Sequence, residues 1–116
     1  MLQVVAITDA VTPSALSAEG TAGEPVSLRY RSTSLGIVAT NVVVERNAEP
    51  IVRMHENASV VDVGRTYSVA WHAPRAEARG SLRFCVTLAN RTPGAPLRSY
   101  TSCARIRLRP RPSSRQ

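Results

Sequence analysis

Four side chains are suited to nucleophilic or metal chemistry, His55, His72, Cys85 and Cys103, beside eight carboxylates of which only Asp9 and Asp62 are aspartates. Zinc sites space Cys and His ligands about two to four residues apart, and neither cysteine has such a neighbour. A blue-copper centre needs a Cys on a loop flanked by a ligand His and Met, an order that Met54, His55, His72 and Cys85 do not follow. No G-x-S-x-G elbow marks a serine nucleophile. Glu45 with Glu49, and Glu56 with Asp62, read as solvated charges at loops or strand edges rather than as a paired general acid and base, and the D-x-D spacing of a calcium loop is missing. Gly20, Gly23 and the Pro-Gly-Ala-Pro run at 93–96 are turn chemistry, with no phosphate-cradling loop ahead of a helix. These residues predict no enzyme, no metal and no cofactor. Asn57-Ala58-Ser59 and Asn90-Arg91-Thr92 fit the glycosylation pattern in expected loops, which carries weight only in a eukaryotic or viral host.

The elements that position these residues read as strands. Amphipathic periodicity of a helix is missing over any long window, while period-two alternation recurs between turn residues. The expected strands are 3–8, 26–31, 37–45, 50–55, 60–63, 66–72, 82–89 and 100–108, with 13 and 20–25 as loop and 74–80 as a turn. Val26, Leu28 and Tyr30 share one face of their strand, Tyr67, Val69 and Trp71 another, and Leu82, Phe84, Val86 and Leu88 a third. Strand 37–45 is apolar on both sides, as a central or covered strand would be. Such short, evenly spaced strands predict an all-β, two-sheet antiparallel sandwich of about seven strands. Its core should hold Leu28, Tyr30, Val69, Trp71, Phe84, Val86 and Ile106. The domain spans 1–109, and 110–116 is a basic Pro/Ser/Arg tail or linker.

The 116 residues are 43% hydrophobic, enough for one folded core and against wholesale disorder, and no apolar run approaches the length of a membrane helix. No membrane insertion is expected. The N-terminus lacks the basic start and apolar run of an export signal, so the chain reads as an excised domain or a cytosolic protein. All fifteen basic residues are arginine, and the net charge is +7. Arg105, Arg107, Arg109, Arg111 and Arg115 crowd the last twelve residues, a stretch that suits either a solvated linker or an anionic partner.

VSLRYR, YSVAWHAP, GSLRFCVTLANR and SCARIRL, over most of residues 24–109, resemble the immunoglobulin-like or fibronectin-III-like modules in secreted and cell-surface proteins of GC-rich bacteria. The features are Tyr30 and Arg31 on the second strand, Trp71 leading to Pro74, Phe84 to Val86, and Ser102 to Ala104. Two departures from the antibody domain stand out: the Trp is not on the third strand, and the cysteines lie on the last two strands rather than bridging the sheets. The resemblance implies a spacer, adhesive or accessory module, not an antibody-type function.

Parity then places the cysteines. Phe84 and Val86 face the core, so Cys85 points outward; Ala104 and Ile106 do the same for Cys103. If the last two strands form a hairpin centred on Gly94, position 85 opposes 103 and the sulfurs can bridge. A disulfide implies an oxidising compartment, hence a secreted or cell-surface protein whose signal lies outside these residues. The same register opposes Arg83 and Arg105, a repulsive pair unless Glu45 or a bound anion is near. Arg83, Arg105 and Arg107 are therefore the candidate partner surface. The leading reading is a noncatalytic module that spaces neighbouring domains or binds a protein or glycan. The alternative is an anion- or nucleic-acid-binding domain using the Arg-rich last strand and tail.

Overall fold

The computed structural model describes residues 11–73, 81–94 and 96–110, and these form two stacked sheets with no helix. Eight strands follow one another: β1 (Pro13–Ala15), β2 (Ala18–Thr21), β3 (Pro25–Ser32), β4 (Gly36–Arg46), β5 (Glu49–Val61), β6 (Thr66–His72), β7 (Leu82–Asn90) and β8 (Ser99–Arg109). One sheet has the order β1-β3-β6 and the other β2-β8-β7-β4-β5. The expected strand 3–8, the turn 74–80 and the tail beyond 110 lie outside the described residues.

Alternation of large apolar residues builds the inner faces. In β3, Val26, Leu28 and Tyr30 are buried and their neighbours exposed, and the antiparallel register sets them opposite Trp71, Val69 and Tyr67 of β6. From the larger sheet, Val38, Val42 and Val44 of β4 and Leu82, Phe84, Val86 and Leu88 of β7 meet them, with Ile106 of β8. Leu28, Phe84 and Val86 are fully buried, Tyr30, Trp71 and Ile106 nearly so, and Val69 packs half-buried against the cluster. β4 lies between β7 and β5, which accounts for its half-buried outward residues Asn41 and Val43.

Three expectations need correction. Residues 13 and 20–21 are not loop: β1 pairs with β3, then the chain crosses to the other sheet, where β2 runs parallel to β8 and breaks the all-antiparallel pattern. Small residues make this crossing possible, since a Cβ on Gly20 would lie 2.6 Å from Val26 Cγ2. Residues 50–55 and 60–63 are not two strands. They form the continuous β5 up to Val61, because β4 pairs along its whole length with irregularities that absorb the polar stretch 56–59, while Val63 makes only an isolated bridge to Ser32. Asn57 lies inside β5 and Asn90 ends β7, so neither is in a loop; Asn90 is buried and its Oδ1 accepts the Thr92 N–H at 3.0 Å.

Two tight reversals fix the registers that matter for the surface. Asn47 and Ala48, both at positive φ (49° and 68°), form the two-residue turn between β4 and β5, as a primed hairpin turn requires. Ser81 ties that turn to the start of β7, donating to Asn47 Oδ1 at 3.0 Å and accepting from Asn47 N–H at 2.8 Å. Between β7 and β8, Gly94 takes a φ of 84°.

Candidate functional site

The outer face of the larger sheet is built from rungs that the β7–β8 hairpin dictates. Arg83 opposes Arg105, Cys85 opposes Cys103, and Thr87 opposes Thr101. The cysteines form a disulfide, with Cα atoms 4.0 Å apart. That close approach is the spacing of a directly opposed pair on one sheet face. Cys103 is exposed, whereas Cys85, on a strand flanked on both sides, is only 8% exposed. The threonine hydroxyls of the next rung lie 2.7 Å apart. Disulfide and hydroxyl pair together hold this part of the face in one register.

The like-charge rung is relieved from β4. Glu45 pairs with Arg83 in the β4–β7 register, and Arg83 Nε donates to Glu45 Oε1 at 2.6 Å. Glu45 is thus a fixed partner on an interior strand, not the solvated charge its sequence neighbourhood suggests. The Arg83 side chain is half exposed, so water screens the pair and its contribution is small.

Arg105 and Arg107 project from the same face of β8, and Arg109 follows in the same parity. Glu19 of β2 stands beside Arg107 in the parallel register. Two open grooves border these side chains. The larger, about 570 Å³, runs along β8 past Glu19, Arg105, Arg107 and Arg109, and the smaller, about 310 Å³, lies between Ser17, Glu19 and the two arginines. Of the three predicted surface arginines, then, Arg105 and Arg107 line grooves and Arg83 is committed to Glu45. Sequence reading missed Glu19 because β2 lacks large apolar residues. Its faint signal is the alternation of small inward Ala18 and Gly20 with Glu19 and Thr21.

The histidines are far from this face's arginines in role. His55 on β5 has Nδ1 2.8 Å from Asn41 Oδ1 and Nε2 2.8 Å from Asn57 Oδ1, so neighbouring amides occupy both ring nitrogens. His72 is exposed on β6. Among the described residues no three His, Cys, Asp or Glu side chains gather as a metal would need, and the disulfide withdraws both thiols from ligation. Nor is any described helix long and apolar enough to cross a membrane.

Burial pushes the Tyr30 phenol above its ordinary value of 10.0, the nearby Thr40 hydroxyl works against that rise, and Glu56 and Tyr67 add to it. Tyr30 faces the interior between the sheets, away from the arginine face.

No protein-family model matches the chain, and no curated protein matches it.

Proposed function

We propose that this chain is a noncatalytic, immunoglobulin-like module of an exported protein, and that it binds a carboxylate-bearing glycan through Arg105 and Arg107. Strand order supports the immunoglobulin-like type. The opening segment is split between both sheets, β1 in one and β2 in the other, and the chain passes through β4 and β5 of the larger sheet between its β3 and β6 visits to the smaller. The disulfide supports export, since such bonds persist in oxidising compartments.

The observation that carries the binding site is the coincidence of two groove-lining arginines with a strand held by the disulfide. Guanidinium groups receive carboxylates through paired N–H donors, and a face whose register is covalently held keeps those donors positioned. Glu19, beside Arg107 in the β2–β8 register, limits how many anions the face can take, which favours a sparsely charged glycan over a dense polyanion. Glucuronyl-xylotriose, one carboxylate on an otherwise neutral chain, is a direct probe. Wild-type protein should bind it measurably, and the double substitution Arg105→Ser with Arg107→Ser should weaken binding at least about tenfold, the loss of roughly one charge-assisted contact. Equal binding by both proteins, or none by the wild type, would overturn the assignment.

A second reading draws on the outward run of Arg105, Arg107 and Arg109, spaced by a two-residue strand step of about 6.7 Å, in a chain of net charge +7. Such a row suits a phosphate backbone. Nucleic-acid binding would show a steep loss with added salt, because each neutralised phosphate releases counterions. The glycan reading predicts a shallow one.

A further inference from the structure

The two sheets part along one lateral edge, where β5 and β6 are the outermost strands among the described residues. A cleft of about 270 Å³ opens there between Val42, Met54, Val69 and the rings of Tyr30 and Tyr67. The two tyrosine rings stack with centroids 5.7 Å apart, giving the cleft an aromatic wall. Met54 adds a polarisable sulfur, which packs favourably beside aromatic rings.

Two polar groups on its inner face set this cleft apart from a mere gap in packing. Thr40 is 3% exposed, and its buried hydroxyl oxygen makes no hydrogen bond of full geometry among the described residues. The Tyr30 phenol is its nearest partner: the Thr40 hydroxyl opposes the rise in that group's pKa as a loose hydrogen bond does, but the contact falls short of full hydrogen-bond geometry. Buried hydroxyls are normally well paired, so a loosely paired one on the wall of a cleft leaves capacity for a donor from outside. The other group is Glu56. Inward positions of β5 run Val52, Met54 and then Glu56, and the register sets Glu56 directly opposite Thr40. Directly opposed residues on one face bring their Cβ atoms within about 5 Å, so one ligand atom can meet both.

The charge environment decides the ligand's sign. Among the described residues no arginine lines this cleft and none pairs with Glu56, in a chain that carries fifteen. An inward carboxylate on an edge strand also opposes the docking of another strand, which argues against a peptide added to the sheet. The chain has no lysine, so it holds no ammonium side chain of its own to fill the space.

We propose that the cleft binds a small organic ammonium with an aromatic stem. The stem lies among Val42, Met54, Val69 and the tyrosine rings. The ammonium donates to Thr40 Oγ1 and pairs with the Glu56 carboxylate, while the ring faces favour its positive charge. His55 forms part of the mouth but does not compete for the ligand, since Asn41 and Asn57 hold its ring nitrogens.

The test compares 2-phenylethylammonium with 2-phenylethanol and phenylacetate, which keep the stem and change the charge. Each is titrated into isotope-labelled protein while the Met54 methyl and Thr40 amide resonances are followed. The ammonium should give saturable shifts at both positions, the alcohol should bind about tenfold more weakly or less, and phenylacetate should give none. Glu56 is exposed, so Glu56→Gln keeps the fold, and it should weaken ammonium binding about tenfold while leaving the alcohol unchanged. Thr40→Val should weaken both ligands, with an unchanged amide spectrum elsewhere showing that the sheet is intact. Equal binding of all three compounds, an unaltered ammonium affinity in Glu56→Gln, or no shift at Met54 with millimolar ammonium would overturn the proposal.

Discussion

Substituting Gly20 tests the crossing of the chain from one sheet to the other, on which the position of Glu19 beside Arg107 depends. A Cβ at position 20 would stand 2.6 Å from Val26 Cγ2 and 3.4 Å from Cγ1, whereas favourable carbon contacts lie at about 3.5–4.0 Å. Val26 is 1% exposed and β-branched, so it has little freedom to rotate away, and Trp71 opposes it across the β3–β6 pair. Gly20→Ala should therefore destabilise the protein by about 1–3 kcal/mol, the usual cost of overpacking. Val26→Ala alone removes buried methyl groups and should cost about 2 kcal/mol. In the double variant the new Cβ occupies part of the space that Val26 vacates, so the losses should fall short of additive by about 1 kcal/mol or more. Urea unfolding of the four proteins, followed by Trp71 fluorescence, reads all three quantities. A neutral Gly20→Ala, or strict additivity in the cycle, would refute the close approach of β2 to β3.

Other perturbations follow from single features. Replacing Cys85 and Cys103 by alanine together should lower stability by about 3 kcal/mol in the chain-entropy view, for a bridge closing a separation of 18 residues; urea midpoints measure it, and a loss below about 1 kcal/mol would contradict that view. Ala48→Gly should raise stability by about 0.5–1 kcal/mol, because alanine at a φ of 68° bears a cost that glycine does not; a lower urea midpoint would count against the turn geometry. Tyr30 gives a pH dependence whose sign is fixed by its raised pKa. The unfolded phenol ionises first, so stability is full below about pH 10 and falls as pH rises through the folded value; Tyr30→Phe should flatten that decline in urea midpoints taken from pH 8 upward, and an identical decline would remove Tyr30 as its source.

Legibility followed the size of the side chains. β6 occupies the expected residues 66–72, and β7 extends the expected 82–89 by one residue, because large apolar residues alternate there without interruption. The hairpin register was equally readable: parity turned Cys85 and Cys103 outward, and the Pro-Gly turn placed them opposite each other. The same register exposed the Arg83–Arg105 conflict that Glu45 relieves. β1 and β2 were hidden because Ala18, Gly20 and their neighbours have little strand preference of their own; pairing with distant β3 and β8 makes them strands. The Thr40–Glu56 pair was hidden differently. It depends on how the β4–β5 register resumes after the irregularity between Val38 and Thr40, and residues 56–59 read locally as an interruption.

Binding at the arginine face is read by amide and arginine side-chain shifts on titration with glucuronyl-xylotriose. Saturable changes should appear at Arg105, Arg107 and Glu19, with the Cys85–Cys103 rung following and the β3–β6 face unmoved. Shifts confined to β3 and β6, or none at Arg105 and Arg107 at saturating ligand, would contradict it.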